Sequence, residues 1–181
     1  NGTWQYTLNG TDWFDIGSVS TSNALLLPSD ATSAFRFIPD TDWNGTTGSL
    51  QYKAWDQTSG TAGTYVDASV SGGTTAFSGT SGAVVTVNAV NDAPTATSNT
   101  VSLDPVPEDT ADPPGDDVNW LFGSVFSDAR DQVSGGSLAD SFAGVAVVAN
   151  SANAGSEGVW QWRNGTSWVD VSTSVSTSSA L

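Results

Sequence analysis

Apolar and polar residues alternate along short stretches of this chain, and almost nowhere do they recur at helical spacing. Trp4, Tyr6 and Leu8 alternate with polar neighbours and give a strand over residues 3–8 one apolar face. A second strand over 12–16 follows, and Asn9-Gly10 between them is a two-residue hairpin signal. The same pattern returns over 158–163 and 167–171 around Asn164-Gly165. Further strands are predicted over 24–27, over 34–38 before Pro39, over 49–55, and over 101–103 and 142–149. The run 83–90, Ala-Val-Val-Thr-Val-Asn-Ala-Val, is the strongest of all. Residues 117–123 read as one helical turn with an Asp117 cap and a Gly123 stop. Strands at this spacing, with turn residues between them, predict an all-β chain built as an antiparallel β-sandwich.

The two ends of the chain repeat each other. Trp4-Gln5-Tyr6 returns as Trp160-Gln161-Trp162, Asn9-Gly10-Thr11 as Asn164-Gly165-Thr166, and Ser18 to Leu25 as Ser174 to Leu181. The offset is 156 at Trp4, 155 at Trp13 and 156 again at Leu25, so one residue is lost and regained. Self-similarity at a fixed period marks a repeat architecture. A period near 155 is too long for a solenoid unit of about 20–50 residues. Each repeat is therefore expected to bury its own core and join its neighbours in a tandem array. On this reading residues 1–94 are the later part of one repeat and residues 95–181 the earlier part of the next. Neither piece is complete alone. The expectation is that they are complementary, pairing within the chain or, preferably, with identical or neighbouring copies, because the linker Asn91–Pro94 points them apart.

Charge changes the picture next. The chain carries 17 Asp and 2 Glu against 3 Arg and 1 Lys, a net charge of -15. Self-repulsion on this scale calls for counterions, and it disfavours nucleic acid and anionic membrane as partners. There is no Cys and no His. Disulfides, thiolate metal sites and nitrogen-ligated zinc or copper are thereby excluded, so a metal here must be oxygen-ligated. No signal peptide and no run of 18 apolar residues occurs, as expected of a window internal to an array.

The acids cluster. Asn91 and Asp92 follow the strongest strand, Glu108 and Asp109 lie in a proline-rich loop over 104–117, and Asp128 and Asp131 follow Phe126-Ser127. Asp40 and Asp42 precede Trp43-Asn44-Gly45, and Asp56 ends the strand over 49–55. Calcium takes six to eight oxygens from carboxylates, amides and carbonyls in loose geometry, and loops at a domain junction suit it. Each single Asp has an equally good role as a turn residue. As a set, with so few basic partners, these residues favour Ca2+. Arg130 offers a local alternative, pairing with Asp128 or Asp131.

Several of these segments carry a resemblance. Val87 to Pro94, ending Val-Asn-Asp-Ala-Pro, looks like the linker between bacterial cadherin-like repeats. Ala54-Trp55-Asp56 resembles the cadherin Ala-x-Asp signature, and Glu108-Asp109 lies where such repeats have an early Glu ligand. Gly2-Thr3-Trp4-Gln5-Tyr6, Phe35 to Asp40, Asp42 to Thr46 and Tyr52 to Thr58 together resemble the long repeats of giant secreted bacterial (RTX-type) adhesins. The resemblance covers nearly the whole chain. It departs at Asp128 and Asp131, which are separated by Ala129-Arg130 where such repeats show Asp-x-Asp. It implies an immunoglobulin-like or cadherin-like sandwich, extracellular on the bacterial surface, stiffened by calcium. The implied role is to space an adhesive tip from the cell, in adhesion or biofilm architecture.

Eight Trp is a high count. Most sit at strand alternation, which points to core and edge packing. Trp13, Trp43 and Trp168 lie beside loops and support the alternative of a glycan- or protein-binding module. Asn1, Asn9, Asn44 and Asn164 each open Asn-Gly-Thr, a formal glycosylation acceptor, although hairpin turns account better for Asn9 and Asn164. An enzyme is not expected: there is no His base and no Cys nucleophile, and the acids sit where turns or ligation explain them.

Overall fold

The computed structural model describes all 181 residues and divides into two compact units. The first comprises Asn1–Pro94 with Asp128–Asp140; the second comprises Thr95–Ser127 with Ser141–Leu181. Strand and bridge positions make up 28% of the chain and the single α-helix has five residues, so the class is all-β. The sheets are small and separate, one of three strands and five of two. No helix is long and apolar enough to cross a membrane.

The first unit holds β1 (Gly2–Thr7), β2 (Phe14–Asp15), β3 (Ala24–Leu25), β4 (Ala34–Pro39), β5 (Gly45–Thr46), β6 (Leu50–Trp55), β7 (Tyr65–Val66), β8 (Phe77–Ala83) and β9 (Thr86–Val87). β1 lies between β2 and β4, antiparallel to both. The alternation seen in the sequence places Trp4 opposite Phe37 and Tyr6 opposite Phe35 and Phe14. The rings meet as a row: Trp4–Phe37 centroids lie 5.3 Å apart, Tyr6–Phe14 5.8 Å and Phe37–Trp43 5.8 Å. Tilted and edge-on pairs of this kind contribute roughly 0.5–1.5 kcal/mol each beyond burial.

The apolar run 83–90 does not form one strand. β8 ends at Ala83, paired with Leu50, and β9 pairs with β5 instead of β6. Val84 is the crossing point between two sheets, and Val85 O accepts the Thr47 N–H at 3.0 Å while the Val85 N–H donates to the Thr47 hydroxyl at 3.1 Å. The run thus divides between two partners and leaves Val84 and Val90 exposed. β8, by contrast, reads Phe-Ser-Gly-Thr-Ser-Gly-Ala, with no strand signal beyond its first residue. Its pairing with β6 is what makes it extended, and Ser78 fills the register shift near Trp55 by accepting the Ala54 N–H at 2.8 Å.

The second unit holds β10 (Thr95–Ala96), α1 (Val118–Phe122), β11 (Phe126–Ser127), β12 (Gln161–Asn164) and β13 (Ser167–Asp170). β10 pairs with β11, and β12 with β13. Asp117 caps α1 by accepting the Trp120 N–H at 3.0 Å, as the sequence predicts. Gly123 does not stop it: its φ is -61 and the chain runs on as a 3-10 turn to Val125. Residues 101–103 and 142–149 form no ladder, although Val147 exchanges two backbone bonds with Leu181. In the proline-rich loop, the Asp116 carboxylate accepts the Asp104 N–H at 2.8 Å and so closes the loop on itself.

The duplicated hairpin is duplicated in space. Gln5 donates to Asp15 at 2.8 Å, and Gln161 to Asp170 at 2.7 Å. The Ile16 N–H bonds Trp4 O at 3.0 Å, and the Val171 N–H bonds Trp160 O at 2.8 Å. The bridge Ser20–Asn23 returns as Ser176–Ser179. The residue that shifts the offset falls in the hairpin loop. In the second copy Asn164 pairs with Ser167, and Gly165 (φ 64) with Thr166 makes the tight turn. In the first copy Tyr6–Phe14 is the last pair, so Asn9-Gly10 is not a two-residue turn. There the Asn9 Oδ1 accepts the N–H groups of Thr11 (3.0 Å) and Asp12 (2.8 Å) and organises a wider loop.

Few side chains are well covered. The buried apolar residues are Ile16, Leu26, Ala68 and Ala76 in the first unit and Leu121 in the second. Thr7, Asn44, Thr47, Asp128 and Asp131, all of the first unit, are buried and polar.

Candidate functional site

The buried polar residues are the place to look for chemistry, because a buried carboxylate must find partners. Asp128 is 6% exposed and Asp131 7%. Both lie on the segment Asp128–Asp140, which belongs to the first unit. It begins as a turn, with the Asp131 N–H bonded to Asp128 O at 3.2 Å.

Two clamps hold the segment. In the first, the Asp92 N–H points at both oxygens of Asp131, at 3.2 and 3.1 Å. In the second, Asn44 bridges to Ser137 in both directions: its Oδ1 accepts the Ser137 N–H at 2.7 Å and its Nδ2 donates to Ser137 Oγ at 2.9 Å. Ser137 Oγ in turn donates to Asp131 O. The approach is so close that a Cβ on Gly45 would lie 3.0 Å from Gly135 O, and one on Gly136 would lie 2.7 Å from Asn44 O. Asp128 is tied within the segment, its Oδ2 accepting the Asp140 N–H at 2.6 Å.

The segment therefore holds two buried carboxylates, Asp131 against the Asp92 N–H and Asp128 against the Asp140 N–H. An ionised carboxylate has about four lone-pair sites, so most of the acceptor capacity of this pair is unused by the protein. The one cation nearby, Arg130, does not neutralise them. Its guanidinium stands 3.9 Å from Asp92 Oδ1, with both partners partly exposed. The alternative of a local pairing with Asp128 or Asp131 is not what forms; Arg130 makes a long contact to Asp92. The donor chemistry, hard oxygen, suits a divalent cation of the calcium type. The full ligand shell is not gathered: no group of three or more Asp or Glu side chains converges to hold a metal ion.

The other acids named from the sequence are placed elsewhere. Asn91 is exposed and donates to the neighbouring Asp92 carbonyl at 3.1 Å. Glu108 and Asp109 are exposed and belong to the second unit; Asp109 takes a left-handed φ of 64. Asp42, also at positive φ (59), and Asp40 are exposed. Asp56 is a turn residue: it accepts from the Thr58 hydroxyl (2.7 Å) and N–H (2.9 Å), and these bonds hold its pKa below the ordinary carboxylate value. Asp30 and Asp67 behave alike. The N–H groups of Thr32 and Ser33 lower the first, and the Ser69 hydroxyl and N–H lower the second.

The loop tryptophans find packing partners. Arg36 lies over the Trp13 ring at 3.9 Å, Trp43 meets Phe37 edge-on, and Gly115 (φ 67) leaves room for Trp168, whose Cη2 would lie 2.6 Å from any Cβ there. Asn44 was legible only as a glycosylation acceptor; its burial and both bonds to Ser137 make it a structural clamp. No sequence signal marked it, because its partner lies 93 positions away.

Compared with known protein families, curated proteins and solved structures, the chain matches none.

Proposed function

We propose that this chain is a stretch of a tandem-repeat extender: a structural, calcium-stiffened spacer of a large extracellular bacterial adhesin or surface filament, built from immunoglobulin-like or cadherin-like sandwiches. The observation that carries the reading is the duplicated hairpin, which keeps its cross-strand Gln–Asp bond and its Ser-rich bridge in both copies. A chain that repeats a whole supersecondary unit about 155 residues apart is built for length. The excess of unpaired carboxylate supports the calcium part. Asp92, Asp128 and Asp131, all of the first unit, are the residues that would contribute carboxylate oxygens to the ion. Bound calcium would remove the repulsion among these acids and set the angle of the linker that follows Val90.

The test is solution X-ray scattering and thermal melting of the full chain with calcium and with a chelator. Calcium at about 100 times its dissociation constant should add roughly 2.7 kcal/mol of stability. Scattering curves and melting temperatures unchanged by the chelator would sink the calcium reading. A glycan array with the same protein separates the spacer from a sugar-binding module, since a spacer gives no hits.

A further inference from the structure

Three Asn-Gly-Thr triplets, at Asn9, Asn44 and Asn164, have chain on both sides and share one local sequence, so what separates them is the fold around each. An asparagine followed by glycine is open to a particular reaction. The glycine nitrogen can close on the asparagine side-chain carbonyl carbon, because no Cβ on the glycine stands in the way. At Asn9 both partners in that closure are held. The Gly10 N–H donates to the Thr7 hydroxyl at 3.0 Å, and Thr7 is 0% exposed. Asn9 Oδ1 accepts the N–H groups of Thr11 and Asp12, and its Nδ2 donates to Asp12 Oδ2 at 2.7 Å. At Asn44 the side chain is buried and bonded to Ser137 through both its oxygen and its nitrogen, and Gly45 lies in β5 opposite Val87.

Asn164 is free of both restraints. Before the triplet the first copy of the hairpin reads Gln5-Tyr6-Thr7-Leu8 and the second Gln161-Trp162-Arg163. The shorter copy has lost a residue there, and no threonine hydroxyl stands behind its turn. The Val171 N–H bonds Trp160 O, and bonded pairs alternate along an antiparallel ladder, so Trp162–Val169 and Asn164–Ser167 are bonded pairs. Asn164 and Ser167 thus close the ladder, and the Gly165 N–H, first inside the turn, lies outside it. Asn164 is exposed, and a Cβ built on Gly165 would meet nothing within 4 Å.

We propose that Asn164 is a site of spontaneous modification, converting to aspartate and isoaspartate through a cyclic imide with Gly165, while the fold protects Asn9 and Asn44. In the first step the Gly165 nitrogen loses its proton and bonds to Asn164 Cγ, and the side-chain nitrogen leaves as ammonia. Water then opens the imide at either carbonyl. One product keeps the normal backbone and gains a side-chain carboxylate; the other routes the backbone through Cβ and leaves the carboxylate on Cα. Water is the only reagent consumed. Either product adds a negative charge to a chain that already carries -15. The isoaspartate also lengthens the backbone by one atom beside a two-residue turn, so the Asn164–Ser167 pair loses its register. The inference stands apart from calcium and from the spacer role.

The test is to incubate the full chain in heavy-oxygen water at mildly alkaline pH, folded and in concentrated urea, and to map its peptides by mass spectrometry. In the folded chain Asn164 should take up the label and yield both aspartate and isoaspartate. Asn9 and Asn44 react only through local opening, and should convert at least about tenfold more slowly. In urea the three should convert within about twofold of one another, since their local sequences match. Thr7→Val frees the Gly10 N–H and should speed the conversion of Asn9 in the folded chain. If that variant fails to fold, the comparison of folded chain with urea decides alone. Equal rates at the three sites in the folded chain, or a lead of Asn164 that persists undiminished in urea, would overturn the inference.

Discussion

Replacing Asn44 by Ala should unfasten the segment Asp128–Asp140 from the first unit. Asn44 is 8% exposed and makes two hydrogen bonds to Ser137, at 2.7 and 2.9 Å. Each such bond contributes about 0.5–1.5 kcal/mol net. The substitution also strands the Ser137 N–H in a half-buried setting, at a further cost of about 1–3 kcal/mol. The sum is roughly 2–6 kcal/mol, a large share of the 5–15 kcal/mol typical of a domain. The first unit has 107 residues, so the loss corresponds to a fall in melting temperature of roughly 8–24 °C, at about 4 °C per kcal/mol. Calorimetry and urea unfolding of Asn44→Ala, Ser137→Ala and the double variant would measure it. Residues in one hydrogen-bond network couple by at least about 0.5 kcal/mol in such a cycle. Strict additivity, or a loss under about 0.5 kcal/mol for Asn44→Ala, would refute the idea that this clamp holds the segment.

Three further outcomes follow from the same geometry. Gly136→Ala places a Cβ 2.7 Å from the Asn44 carbonyl oxygen, so overpacking should cost about 1–3 kcal/mol in denaturant unfolding, while Gly17→Ser, with open space around it but φ 68, should cost only its backbone strain. Arg130→Ala removes a 3.9 Å exposed ion pair and should change stability by less than about 1 kcal/mol at physiological salt; a larger loss would mean that Arg130 neutralises the buried acids after all. Acid titration followed by NMR should show Asp30, Asp56 and Asp67 titrating below 3.8. Their pKa values are depressed by hydrogen bonds, so their contribution is whole above that value and is lost as pH falls through the lowered ones; Thr58→Val should return Asp56 toward 3.8.

Much of the hairpin was legible because its information is local. Alternation set the face of Trp4 and Tyr6, and the duplicated words marked the second copy. Pairing partners were less legible. Val84 and Val85 look like the middle of a strand, yet the chain changes sheets there, and nothing local encodes which neighbour is waiting. β8 shows the converse: a Ser/Gly-rich stretch drawn into a ladder by β6. The Asn9-Gly10 signal failed because one extra residue widened its loop, whereas Gly165-Thr166 in the shorter copy turns tightly. At the site, the sequence marked Asp92, Asp128 and Asp131 by charge. It did not mark Asn44 or Ser137, whose roles depend on a contact across 93 positions. Asp56 was named for a ligand role, and its bonds to Thr58 are those of a turn.

The Asn44–Ser137 clamp also sets an order of manufacture. Asn1–Pro94 leaves the ribosome with its polar socket at Asn44 unfilled, and the segment that fills it arrives only after Thr95–Ser127 has been made. Ser137 lies 43 residues beyond Pro94. At about 5–20 residues per second the delay is roughly 2–9 s, long compared with the time in which a small domain folds. A nascent first unit therefore lacks one of its buried contacts until Thr95–Ser127 has been made. In an array of the kind proposed above, maturation would run as an overlapping relay, the closing segment of one unit arriving only with the synthesis of the next.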